Sequence, residues 1–156
     1  MKLIFDIETD NFLEHCTTIH CIVAQSYDTG RVFEFGPSDI KKGLKLLQEA
    51  DVLIGHNIMA FDIPAIKKLY PKWDTEAELY DTLIAAKFAY PDIKELDFRR
   101  LRKVMTTPVT MRTELEREMM RNIGKHSLEA YGLRLGEHKG SFGKDVGFDK
   151  FTQEML

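Results

Sequence analysis

The chain has 156 residues, 44% of them apolar, enough to bury one core in a single domain, and its net charge of −3 on the sum alone argues against nucleic acid as a partner. Its two cysteines, Cys16 and Cys21, have neither zinc-type spacing nor a disulfide framework around them, which fits a reducing, cytoplasmic home. No stretch approaches the roughly 20 apolar residues of a membrane span, and the apolar N-terminus, interrupted at Asp6, is too short for a signal peptide.

The chain opens on an apolar strand, Lys2 to Phe5, that runs into Asp6-Ile7-Glu8-Thr9. Cys21 to Tyr27 and Arg31 to Phe35 flank Asp28-Thr29-Gly30, a turn signal that predicts a hairpin. Ser38 is expected to cap a helix on which Ile40, Leu44 and Leu47 form one stripe. Val52 to Ile54 then reads as a buried strand stopped by Gly55, Pro64 to Tyr70 as a helix, Leu79-Tyr80 as a short strand and Thr82 to Tyr90 as a helix. Further on, Ser127 is placed to cap a helix with Leu128, Tyr131 and Leu135 on one side, and Gly136 to stop it. Three strands followed by alternating helix and strand predict an α/β domain, a mixed sheet covered by helices. No repeat, low-complexity tract or long linker divides it.

The residues that carry chemistry begin with Asp6 and Glu8. Alternate side chains of a strand share a face, so these two carboxylates stand side by side while Ile7 turns toward the core. Paired carboxylates raise one another's pKa and suit hard divalent cations; an acidic strand end facing water is the plainer alternative. A second segment, His56-Asn57-Ile-Met-Ala-Phe61-Asp62-Ile-Pro64, follows the buried strand at Gly55. Pro64 suits the first turn of a helix, so Asp62 sits at a helix entrance, where it is either a cap or a third carboxylate brought to the sheet's end. Asp81, before Thr82, is read as a cap or a structural hydrogen-bond acceptor rather than a ligand. His15, His20 and His138 show no ligand spacing.

Asp6-Ile7-Glu8-Thr9 resembles the first motif, and His56-Asn57 with Phe61-Asp62-x-Pro64 the second, of the DEDD 3′-5′ exonucleases, and the closer likeness is to the proofreading domain of podovirus-type phage family A DNA polymerases. The stretch from His126 to Gly140 and the helix start at Pro37-Ser38-Asp39 are similar to segments of that domain, so the likeness covers nearly the whole chain. It implies an RNase-H-like fold, 3′-5′ hydrolysis of single-stranded or frayed DNA ends, and two divalent ions, Mg²⁺ or Mn²⁺, about 4 Å apart. On that reading Asp6 touches both ions, Glu8 helps hold the water-bearing one and Asp62 holds the second. Thr9 and Phe12 align with positions that pack against the terminal base, where an aromatic stacks without reading base identity; a loop aromatic folded into the core is the alternative for Phe12. Asn57 and Phe61 belong to the second motif. The third motif, Tyr-x-x-x-Asp, has no match before Leu156, so residues 1–156 are expected to be one exonuclease-like domain lacking its last helix. A polymerase domain, in cis or as a second polypeptide, is the partner so implied, and the host cytoplasm the location. Asp145 and Asp149 lack the Tyr spacing.

From Lys94 to Lys125 there are nine Lys and Arg against five Asp and Glu, so the positive charge is concentrated where phosphates could be attracted. Glu114, Glu116, Arg117, Glu118 and Arg121 read as a solvated helix face. Arg99, Arg100, Arg102 and Lys103 have fewer acidic neighbours and are candidates for phosphate contact, and His126 for facing the strand. Two other functions stay open: a catalytically weak nucleic-acid-binding or interaction module with the same fold, and a DEDD exonuclease directed at RNA.

Overall fold

A computed structural model describes residues 1–137, 151, 152 and 155; His138, Gly140, Asp145 and Asp149 lie outside the described residues. These residues form two compact units, Met1–Thr82 with the described residues of Ser141–Leu156, and Leu83–Gly140 as far as residue 137.

The first unit is built on five strands: β1 (Lys2–Thr9), β2 (Ile19–Ser26), β3 (Val32–Phe35), β4 (Val52–Gly55) and β5 (Glu78–Asp81), in spatial order β3-β2-β1-β4-β5. β1, β2 and β3 pair antiparallel, whereas β4 joins β1, and β5 joins β4, in parallel. The expected hairpin is present between β2 and β3, with Gly30 in the left-handed region at φ +70°. Helices α1 (Ile40–Gln48) and α2 (Asp62–Leu69) supply the crossovers. The stripe Ile40, Leu44 and Leu47 is buried as its spacing requires, packing with Leu3, Phe5, Ile7, Ile22, Leu53, Ile58 and Ile66. Trp73 closes this core and donates its indole N–H to the Leu44 carbonyl at 2.9 Å.

Several boundaries differ from expectation, those of β1 and α1 among them. β1 continues four residues past Phe5, because Ile7 and Thr9 keep the buried alternation going while Asp6 and Glu8 occupy the other face. The cap position of α1 is Asp39 rather than Ser38; its carboxylate bonds Lys42 at 2.6 Å and the Ser38 hydroxyl at 3.0 Å, and no side chain caps the helix N–H groups.

The second unit is helical: α3 (Thr82–Ala89), which starts at the last residue of β5's unit, then α4 (Ile93–Arg100), α5 (Arg102–Thr106), a short 3₁₀ turn (Val109–Met111), α6 (Glu114–Arg121) and α7 (Leu128–Leu135). Thr113 and Glu116 form a reciprocal capping box on α6. Ser127 caps α7 through the Ala130 N–H, and Gly136 ends it in the left-handed conformation at φ +79°, both as expected. Ile93, Leu101, Ala130 and Leu133 are buried here together with the polar Asp97 and Asn122. Among the described residues no helix is long and apolar enough to cross a membrane.

Candidate active site

The parallel pairing of β1 with β4 runs only from Lys2–Val52 to Ile4–Ile54, so β1 projects beyond its neighbour. Where that ladder stops, a side chain replaces it: the Ile7 N–H donates to Asp62 Oδ1 at 3.2 Å. Asp62 is only 3% exposed and makes no capping bond at the entrance of α2, where the cap position is Phe61. The helix-cap alternative is therefore not what the fold uses. Burial first, then the anion of Asp6 and less strongly that of Glu8, push the Asp62 carboxyl up to about 7, against the bond from Ile7. The three carboxylates thus share one electrostatic field.

Asp6 and Glu8 lie on the exposed face of β1, opposite Val23 and Cys21 of β2. A register shift follows at once: Glu8 faces Cys21, but Thr9 faces Ile19, so β2 carries an extra residue, His20, at that point. Such bulges bend a strand and re-aim its neighbours. Cys21 is buried beside the pair, and its thiol is pushed up to about 11 by burial and by the charges of Glu8 and, less, Asp6. Burial and these charges disfavour its thiolate form. Cys16 and Cys21 are both free and buried.

Beyond Glu8 opens a cleft of about 320 Å³ lined by Ile7, Glu8, Thr9, Asp10, Asn11, Phe12 and Phe61. Phe12 is 80% exposed, so it is not folded into the core. Thr9 is buried and its hydroxyl donates to the Asn11 carbonyl at 2.8 Å, which makes it an anchor of the cleft wall. The Asp10 carboxylate accepts from the Thr17 hydroxyl and from the N–H groups of Thr17 and Thr18. Burial works against its charge, but those three bonds hold it down at about 2.

The loop after β4 is held by Asp81 at the end of β5. Its two oxygens accept the N–H groups of Asn57 at 3.0 Å and Met59 at 3.1 Å, which is the structural acceptor the sequence suggested. Asn57 adopts a left-handed φ of 68°, which asparagine tolerates, and its carbonyl accepts from Ala60 and Phe61. Asn57 therefore shapes the loop that delivers Phe61 and Asp62. Gly55 admits no side chain, since a Cβ there would lie 2.8 Å from the Phe5 carbonyl and 2.3 Å from Ile58. The Thr82 hydroxyl donates to the Gly55 carbonyl at 3.1 Å, so toward His56 Nδ1, 3.0 Å away, it acts as acceptor.

The remaining sequence candidates lie in the second unit. Arg99, Arg102 and Lys103 are exposed, and Arg100 is tied by a 2.7 Å bond from Nη1 to the Arg134 carbonyl. His126 meets the Tyr131 hydroxyl at 3.0 Å through Nδ1. Residues that sequence reading passed over include Asp10, Asn11, Lys68 and Arg134. Only Asp10 carried a signal, as one more acid after the Asp6/Glu8 pair.

The site is made of carboxylate oxygens, the donor type that hard divalent cations prefer, and the mutual repulsion felt by Asp62 is what such a cation relieves. The donor chemistry suits such a cation, while among the described residues no group of three or more His, Cys, Asp and Glu side chains is placed to hold a metal ion.

No family model matches the chain. In sequence it is 32% identical over 165 residues to the DNA-directed DNA polymerase of Enterobacteria phage T3, and 32% identical over 165 residues to that of Escherichia phage T7. Each match covers 98% of this chain and 21% of the polymerase. In structure it matches the EXO domain of Aedes aegypti Nibbler with a TM-score of 0.55 at 12% identity, covering 98% of this chain and 68% of that one. That likeness is one of fold, a mixed five-stranded sheet with helices packed on it. By sequence the chain is similar to these two phage DNA-directed DNA polymerases, and it spans about a fifth of their length.

Proposed function

We propose that this chain is the 3′-5′ exonuclease, proofreading, domain of a phage-type DNA polymerase, acting on single-stranded or frayed 3′ DNA ends with Mg²⁺ or Mn²⁺. The observation that supports the proposal is that buried Asp62 accepts the N–H of Ile7, the residue between Asp6 and Glu8, whose charges act on it, while Glu8 also lines a cleft walled by Phe12 and Phe61. The kinship to DNA polymerases supports DNA over RNA as substrate and a hydrolytic domain over a mere binding module.

Asp6, Glu8 and Asp62 would hold two divalent ions. Bound there, the ions would supply an activated water and would offset the charge on the leaving 3′ oxygen. Asp62 would have to give up its proton to serve as a ligand, because burial and the Asp6 charge push its carboxyl up to about 7. Phe12 offers an exposed ring against which a terminal base of any identity can stack. Phe61 closes the cleft from the α2 side, with Thr9 and Asn57 fixing the backbone on which the walls depend. In the second unit, taken by itself, Arg99, Arg102 and Lys103 are exposed cations suited to phosphate, while Arg100 is held by the Arg134 carbonyl and His126 by the Tyr131 hydroxyl. A polymerase portion, in cis or as a second polypeptide, delivers the frayed end.

Calorimetric titration with Mn²⁺ tests the assignment. The parent chain should bind, and Asp6→Asn, which removes a charge but little volume, should abolish binding with the fold intact by circular dichroism. Unchanged Mn²⁺ binding in Asp6→Asn would show that the carboxylates are not the ligands.

A further inference from the structure

The loop between β1 and β2 holds Phe12 in a single tight turn. The N–H groups of His15 and Cys16 both donate to the Phe12 carbonyl, at 2.9 and 2.8 Å, and the Phe12 N–H donates to Asn11 Oδ1 at 2.8 Å. The carbonyls that follow the start of this turn, those of Leu13 and Glu14, are left without a backbone partner inside it, as at a helix C-terminus, and the turn offers Leu13 only the Cys16 thiol at 3.5 Å. Both carbonyls accept from Nζ of Lys68, at 2.9 Å each, and the same nitrogen lies 4.0 Å from Cys16 Sγ. A cation is the favourable occupant of that carbonyl end. Lys68 stands in the last turn of α2, 55 residues away in sequence from Leu13. Among the described residues it forms no salt bridge with a carboxylate.

We propose that Lys68 is a positioning residue that locks the Phe12 turn, so that Phe12 presents a rigid wall to the terminal base. The inference rests on the exonuclease reading of the cleft. Two of the three ammonium donors point at loop carbonyls, which leaves little for direct phosphate contact. An aromatic held in place before binding stacks without first being ordered, and that is where affinity is gained. The same helix that begins with Asp62 therefore ends by fixing the opposite wall of the cleft.

The test is a double-substitution cycle on the whole chain, read by the fluorescence of a single-stranded oligonucleotide carrying 2-aminopurine at its 3′ end, with Ca²⁺ in place of Mg²⁺. Stacking is worth about 1–3 kcal/mol per base, so Phe12→Ala should weaken binding about tenfold and Lys68→Ala by about fivefold. In the Phe12→Ala background Lys68→Ala should change nothing further, and Lys68→Arg should restore most of the loss. Amide exchange at Cys16 should accelerate in DNA-free Lys68→Ala. Additive losses would mean that Lys68 touches the strand directly, and unchanged Cys16 exchange that it does not hold the turn; either overturns the inference. If Phe12→Ala itself leaves binding unchanged, the cleft reading fails instead, which separates the two claims.

Discussion

Asp62 takes the N–H of Ile7, three residues past Ile4, where the parallel pairing of β1 with β4 stops, so a carboxylate extends a backbone ladder while the charges of Asp6 and Glu8 act on it. Its acceptor role needs no charge, and its charge is opposed by burial and by Asp6 and Glu8. Fold and site pull in opposite directions on this one side chain.

The first prediction is a pH-dependent cost. The folded value of about 7 lies above the ordinary carboxylate value, so between roughly pH 4 and 7 the folded chain keeps a proton that the unfolded chain loses. Stability from this group is therefore full below about pH 4 and falls as pH rises through that window. Asp62→Asn keeps an acceptor for Ile7 and removes the charge. In EDTA it should unfold at higher temperature than the parent at pH 8, by roughly 1–4 kcal/mol, and match it at pH 4. A variant less stable than the parent at pH 8 would contradict the shared-field account.

Two buried aspartates close parallel strands or their loops, and calorimetry should separate them. Asp62→Asn should lose Mn²⁺ binding. Asp81→Asn should keep it, while losing about 1–2 kcal/mol because one of the N–H groups of Asn57 and Met59 then meets an amide donor. Parent Mn²⁺ affinity should rise with pH through about 7, as Asp62 gives up its proton. Loss of binding in Asp81→Asn alone would exchange the two roles.

Substrate preference follows from the exposed ring of Phe12. Single-stranded DNA with a free 3′ end should bind more tightly than blunt duplex, and affinity should fall as salt rises through counterion release. Anisotropy at two salt concentrations reports both. Equal affinity for the two forms would speak against a cleft for frayed ends.

In the second unit, Arg134 donates to Asp97 through Nε at 2.9 Å and Nη2 at 2.7 Å, and Nη2 also reaches the Lys125 carbonyl at 2.8 Å. Asp97 also accepts the Gly124 N–H at 2.9 Å. Burial alone would raise the Asp97 carboxyl, but Arg134 and Gly124 draw it below its ordinary value, so its contribution is present above about pH 4 and lost in acid. Arg134→Met should cost about 3 kcal/mol by stranding the carboxylate. Arg134→Lys should recover only part of it, because one ammonium cannot reproduce the two-pronged contact. Denaturant unfolding followed at both positions checks the ranking.

The sequence carried Asp6 and Glu8 plainly because strand alternation is a local rule, and Asp62 nearly so because Pro64 marks the helix beside it. Ser127 and Gly136 were legible for the same reason, each being fixed by neighbours within one turn. β1 was read as ending at Phe5 because its charges interrupt the apolar run, although the buried positions Ile7 and Thr9 continue the alternation. Thr9 lines the cleft, where a terminal base is expected, and its hydroxyl also bonds the Asn11 carbonyl, a contact that residue type alone does not specify. Lys68 and Arg134 left no trace in the sequence, since a cation's partner carbonyl 55 residues away, or a carboxylate 37 away, has no local pattern.

β1 belongs to both halves of its sheet, and this sets an order of assembly. Its antiparallel partner β2 is close in sequence, whereas Ile4 must close a loop of about 50 residues to meet Ile54, a costlier and therefore later event. Asp62 arrives with that late segment, so the repulsion from Asp6 and Glu8 is first felt when β4 and α2 dock. As a hypothesis, the refolding rate in EDTA should fall as pH rises toward about 7 and level off above it in the parent, and stay level throughout in Asp62→Asn. Stopped-flow refolding from urea across pH 5 to 9 would read this directly, and a parent rate independent of pH would place the docking of α2 after the rate-limiting step.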